Sequence, residues 1–299
     1  MRRRYFNLAG ALVGIAWLAS VPTAGQAEKP AVQTYNPPRT ADGQPDMQGY
    51  FAAPIGGSYS IEELELQIQA ADFQGATRQG LSEREIAERA ERRRLVSRIV
   101  DPPDGKIPYQ PWARARQQDT VANHLDPKRP EHLDPRARCF QNGVPRFMHL
   151  GQFQILQPPG YVLILYEDNH AYRIIPTDER PHVGEGMQLW AADSRGRWEG
   201  NTLIVDVTNF NDLARFDVVG NFRSAGVHIV ERFTLVDADT INYEATVEDP
   251  AVYTRPWTMA IVLKRVEESK KQDYQLLESA CFEGNRSTLQ TLDDARFGR

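Results

Sequence analysis

Glu167 and His170 have the residue types and the spacing for acid–base chemistry. The run Tyr166-Glu167-Asp168-Asn169-His170-Ala171 reads as a β-hairpin whose two-residue turn is Asp168-Asn169. Residues flanking such a turn are cross-strand partners on one face, so the Glu167 carboxylate would adjoin the His170 imidazole. Period-two alternation adds Leu163, Leu165, Tyr172 and Ile174 to that face. A carboxylate beside an imidazole fixes its tautomer and favours its charged form, which makes a proton-transfer pair. A structural ion pair at an exposed hairpin tip is the alternative. Glu231 is the second candidate. It alternates with Val227, Ile229, Phe233 and Leu235 on what should be a core face. A carboxylate there needs a partner or a polar cavity, and a desolvated one could serve as a general acid or base.

Other residues suggest ligand contacts. Tyr172, Trp190, Trp198 and Trp257 could stack on a ring, although aromatic residues more often fill a core. Asp206 and Glu244 lie with threonines on the more polar faces of their strands, and Asn211 sits in an Asn-rich excursion. Alternation alone does not say which face is interior. Three histidines, His149, His170 and His182, have carboxylates nearby in sequence, but no His-x-His or His-Glu-x-x-His spacing supports a metal. No metal or other cofactor is expected. The serines lack a Gly-x-Ser-x-Gly context and there is no phosphate-cradling glycine loop.

The elements that must position these residues are strands. Apolar-rich segments recur at 153–157, 161–167, 170–175, 197–199, 202–208, 227–236, 240–248, 257–266 and 274–282. Turns separate them at Gly200-Asn201 and Asp237-Ala238-Asp239. The pattern predicts a mainly β fold: an antiparallel meander closing into a lipocalin-like barrel of about 8–10 strands. Residues 209–226 form a long excursion of the kind used as lids or binding loops.

Upstream, residues 28–145 read as an extended arm, one or two helices packed outside the barrel, and a Pro-rich wrapping segment. A short helix is predicted over 60–71. A longer one is predicted over 82–100, with Ser82 and Glu85 as a capping box. Residues 146–299 form the barrel domain.

Residues 1–27 read as a signal peptide: Arg2-Arg3-Arg4, an apolar stretch, then Gly25 and Ala27 at the cleavage positions. The apolar stretch is shorter than the roughly 20 residues a spanning helix needs, so no membrane insertion is expected after cleavage. Its removal deletes three arginines and no acid, taking the formal net charge from −5 to −8. An acidic exported chain is a poor nucleic-acid binder, so none is expected as partner. A periplasmic or secreted location makes one Cys139–Cys281 disulfide the default.

Several segments together resemble a large family of exported bacterial proteins. They include Gly196-Arg197-Trp198-Glu199-Gly200-Asn201-Thr202-Leu203, Asp206 through Asn211, Glu231-Arg232-Phe233, Val236-Asp237-Ala238-Asp239-Thr240 and Tyr253-Thr254-Arg255-Pro256-Trp257-Thr258. The resemblance implies export and names no reaction. Members often continue the second cysteine as Cys-His-Glu, where this chain has Cys281-Phe282-Glu283. The Trp-Glu-Gly hairpin is also similar to lipocalin-like barrels, a likeness of fold alone.

Three functions follow as expectations. The first is an exported barrel binding a small apolar or aromatic molecule. The second is a cofactor-free acid–base enzyme (lyase, hydratase or isomerase type) using Glu167, His170 and Glu231. The third is a structural envelope protein.

Overall fold

The computed structural model describes residues 35–54, 59–62, 97–279 and 281. Ten strands make one antiparallel sheet: β1 (Gly49–Ala52), β2 (Ile99–Asp101), β3 (Gln152–Leu156), β4 (Tyr161–Tyr166), β5 (Tyr172–Pro176), β6 (Asp193–Glu199), β7 (Thr202–Thr208), β8 (His228–Asp237), β9 (Thr240–Glu248) and β10 (Trp257–Arg265). Their spatial order is β5-β4-β3-β1-β10-β9-β8-β7-β6, and β2 pairs beside this path with β10. The sheet curls until β5 and β6 approach one another, giving a nearly closed barrel as the alternation predicts.

Burial alternates along the three longest strands, β8, β9 and β10. On β8 Ile229, Glu231, Phe233 and Leu235 are buried, whereas Arg232 between them is exposed. The same phase puts Tyr243, Ala245 and Val247 of β9 and Trp257, Met259 and Leu263 of β10 inside. Phe51, Phe153, Val162, Ile164 and Tyr166 complete the filled interior from the other side. Layers follow the register: Gly196, Val205, Glu231, Ala245 and Met259 lie side by side across β6 to β10.

Three elements differ from the sequence expectation. The Pro-rich stretch contains helix α1 (Pro111–Asn123), which starts with proline at its first turn, where a missing N–H costs nothing. Residues 99 and 100, expected as the end of a helix, form β2 together with Asp101. The 82–96 part of that helix and residues 63–71 of the shorter one lie outside the described residues. The ninth expected strand, over 274–282, is irregular within its described residues; it meets the sheet through the Tyr274 ring, 4.7 Å from that of Tyr50 and hydrogen-bonded to Gln152, and a parallel bridge joins Ser279 to Asp168.

The 209–226 excursion closes one end of the barrel. Its Phe216 meets Trp257 edge-on at 5.3 Å, and its Phe222 stacks on Tyr109 at 5.8 Å. Gly220, at φ +89°, lets this segment pass over α1: a Cβ there would lie 2.4 Å from Thr120 Cγ2. Asp217 is wholly buried and anchors the segment, accepting from the backbone N–H of Ile61 at 2.9 Å and of Asn221 at 2.9 Å. Burial pushes its carboxyl up to about 7, against those hydrogen bonds. Cys139 and Cys281 form a disulfide.

Candidate functional site

The outer wall of β6 to β9 carries the polar residues in rows. Asp193 lies opposite Thr208 and Arg195 opposite Asp206. Asp206 in turn lies opposite Val230, and His228 opposite Glu248. His228 is therefore the diagonal neighbour of Asp206 across two strands, within reach of a side chain. The 177–192 segment, which joins β5 to β6, folds back over this wall and delivers His182.

Four side chains meet there. His182 places Nδ1 2.7 Å from Asp193 Oδ2 and Nε2 2.9 Å from Asp206 Oδ1. His228 places Nε2 2.8 Å from Asp206 Oδ2. One carboxylate thus holds two imidazoles, each by its own oxygen. An ionised carboxylate only accepts hydrogen bonds, so His228 Nε2 donates to Asp206. Asp193 is itself fixed by Val183 N–H at 3.0 Å and by Arg195 Nη1 at 2.6 Å. Burial pushes the Asp206 carboxyl up, but hydrogen bonds from His228 and His182 outweigh it and hold the group below the ordinary aspartate range. The site is reachable: the side chains of His228, Asp206 and His182 are 41%, 36% and 26% exposed. Among the described residues, the side-chain hydrogen bond of His228 uses Nε2 alone, which leaves Nδ1 for another partner.

A second cluster lies inside the barrel. Arg173 of β5 donates from Nη1 to Glu231 Oε1 at 3.1 Å and from Nη2 to Glu231 Oε2 at 2.6 Å. Its Nη2 also reaches Ser194 Oγ at 2.8 Å, and Tyr243 donates to Glu231 Oε1 at 2.7 Å. Both charged residues are buried. Burial opposes the charge on Arg173, and Glu231 restores it, so the guanidinium holds its proton more tightly than usual. Burial, then Glu231, push the Tyr243 phenol well above its ordinary value.

The expected catalytic group does not assemble. Tyr166 N–H donates to Ala171 O, so the turn spans the four residues 167–170, not two. Asn169 and His170 both take left-handed backbone, at φ 55° and 53°. His170 is consequently displaced from the position opposite Glu167. It pairs with Glu278 at 2.6 Å, on the exposed surface. Glu167 Oε2 instead accepts from Gln152 N–H at 3.1 Å. Leu163, Leu165, Tyr172 and Ile174 belong to the outer wall, because the opposite phase of β4 and β5 is the buried one.

The expected ligand contacts are also dispersed. Tyr172 is 60% exposed on the outer wall. Trp190 stacks on Phe140 at 4.9 Å. Trp198 is half-buried on β6, and Glu244 is exposed opposite Arg232. Asn211 Oδ1 caps Leu213 N–H at 3.1 Å, and Trp257 is wholly buried core. Asp206 alone of this set stands in a cluster of titratable groups. The partners that sequence reasoning missed are His228 and Asp193. Alternation does place Asp206 and His228 outward on neighbouring strands; the fold-back of 177–192 has no such signal.

Among the described residues no three His, Cys, Asp or Glu side chains are grouped to hold a metal ion, and no helix is long and apolar enough to cross a membrane. Comparison with known protein families, curated proteins and solved structures finds no match for the chain.

Proposed function

We propose that this is an exported β-barrel enzyme of cofactor-free acid–base type, with its working group on the outer wall. His228 exchanges a proton with the substrate through Nδ1, and Asp206 orients it through Nε2. His182 and Asp193 brace Asp206 from the other side. The observation that carries this reading is the shared Asp206 carboxylate, which ties an exposed imidazole to a second imidazole that is itself clamped. A carboxylate-oriented imidazole with one free nitrogen is the usual constitution of a general base. Export is supported by the leader-like residues 1–27 and by the disulfide, which suits an oxidising compartment. Membership in the exported family whose motifs the chain resembles belongs to the same proposal.

The reading in which a ligand occupies the barrel has less support. Phe51, Phe153, Tyr166, Phe233 and Tyr243 fill that space, around the mutually paired charges of Arg173 and Glu231.

The test uses 5-nitrobenzisoxazole, a substrate that demands only a base. The full exported chain is expected to turn it over faster than the equivalent free imidazole in buffer. His228→Ala is expected to lower the rate by about 10²-fold or more, the usual contribution of a positioned base, and His170→Ala to leave it unchanged. Equal rates for the wild type and His228→Ala would overturn the proposal.

A further inference from the structure

We infer that the line between β5 and β6 is a gate in the barrel wall and that Arg173 is its latch. Every other neighbouring pair along the sheet is joined by a backbone ladder, with eight registered pairs between β9 and β10 and seven between β6 and β7. No ladder joins β5 to β6, the two ends of the strand order. What holds them is side chains. Arg173 leaves β5, crosses the interior to Glu231 on β8, and gives its second contact to Ser194 on β6. Through Tyr243 the same cluster reaches β9.

A further contact across the line is made by glycine backbone. Gly196 of β6 presents bare backbone to the methyl groups of Ile175 and Thr177, and a Cβ there would sit 2.9 Å and 3.0 Å from them. Strand β5 is hydrogen-bonded on its other side to β4 alone, through five registered pairs from Tyr161–Pro176 to Leu165–Tyr172. The free edge of the β4–β5 hairpin itself is tethered to β6 through this guanidinium, while the 177–192 segment that follows β5 is bound to β6 through Val183 N–H and His182 on Asp193 and through Arg195 Nε on Pro181 O. Segments with few ladder bonds open at lower free energy than the body of a sheet. Opening here exposes Glu231, which is otherwise wholly enclosed.

Hydrogen exchange read by mass spectrometry on the full chain tests this. Ser194→Ala keeps the Arg173–Glu231 pair and removes only the tie to β6. A hydrogen bond to a charged donor is worth enough that its loss should speed exchange about tenfold at residues 172–177 and 193–197. Residues 241–247 and 257–263 are expected to exchange as in the wild type. Arg173→Met, which cuts both ties, is expected to speed the same two segments further. Unchanged exchange along the β5–β6 line in Ser194→Ala overturns the inference. So does acceleration spread evenly over β7 to β10.

Discussion

Replacing Arg173 by methionine isolates what the interior ion pair contributes. In the wild type both carboxylate oxygens of Glu231 receive a guanidinium N–H, and one also receives the Tyr243 hydroxyl. Arg173→Met leaves Glu231, wholly buried, with the phenol as its remaining donor. Stranding a buried charge in this way costs about 3–5 kcal/mol. No solvent screening reduces the figure, because neither side chain is exposed by more than 1%. For a chain of this size that corresponds to a fall in melting temperature of about 6–20 °C. Adding Glu231→Leu removes the charge but strands the Tyr243 hydroxyl, so recovery is incomplete. Adding Tyr243→Phe as well removes that hydroxyl, and the triple variant should return to within about 1 kcal/mol of the wild type. Urea unfolding followed by tryptophan fluorescence measures each step as a thermodynamic cycle. A single variant within 1 kcal/mol of the wild type, or a triple variant no better than the single, would refute the reasoning.

Three further outcomes are expected. Asp217 titrates at about 7 in the folded chain against 3.8 as its ordinary value, so its own contribution to stability should be fully present below pH 4 and be lost as pH rises through 7. Asp217→Asn should flatten that slope, whose ceiling is about 4 kcal/mol; chemical denaturation at pH 4, 5.5 and 7 reads it. Reducing Cys139–Cys281, which are 142 residues apart in sequence, should destabilise the chain by about 5 kcal/mol on the loop-entropy account, measured as the denaturation midpoint with and without reductant. Gly220→Ala should cost about 2–4 kcal/mol, since it adds left-handed strain and drives a methyl into Thr120; unfolding in urea checks it, and a neutral result contradicts the close packing of the excursion on α1.

The barrel was legible because β3, β4 and β8 to β10 alternate and several strands end in strong turns such as Gly200-Asn201. Strands β1 and β2 have four and three residues, too few for a period to register. Helix α1 buries only Ala113, Gln117 and Thr120, so it has no apolar stripe to read. At the candidate site, alternation separated the faces of β7 to β9 but could not say which was inside. The missing clue was Arg173, an arginine in phase with Ile175 on β5. It makes a buried position for Glu231 tolerable. The Glu167–His170 expectation failed for a long-range reason. Asp168, taken as a turn residue, is claimed by Arg136 Nη2 at 2.7 Å, an ion pair from a segment 32 residues away. That pull accompanies the wider turn, and hairpin rules see only local residues.

The position of β1 has a consequence for how the chain is made. This four-residue strand is wedged between β3 and β10, pairing Phe51 with Phe153 on one side and with Arg265 on the other. Its final neighbour therefore emerges roughly 200 residues later, about 10–40 s at ordinary rates of synthesis. Until then β1 can pair along one edge only, with β3. The pairing of β1 with β10 is a late, long-range event, and such topologies assemble slowly.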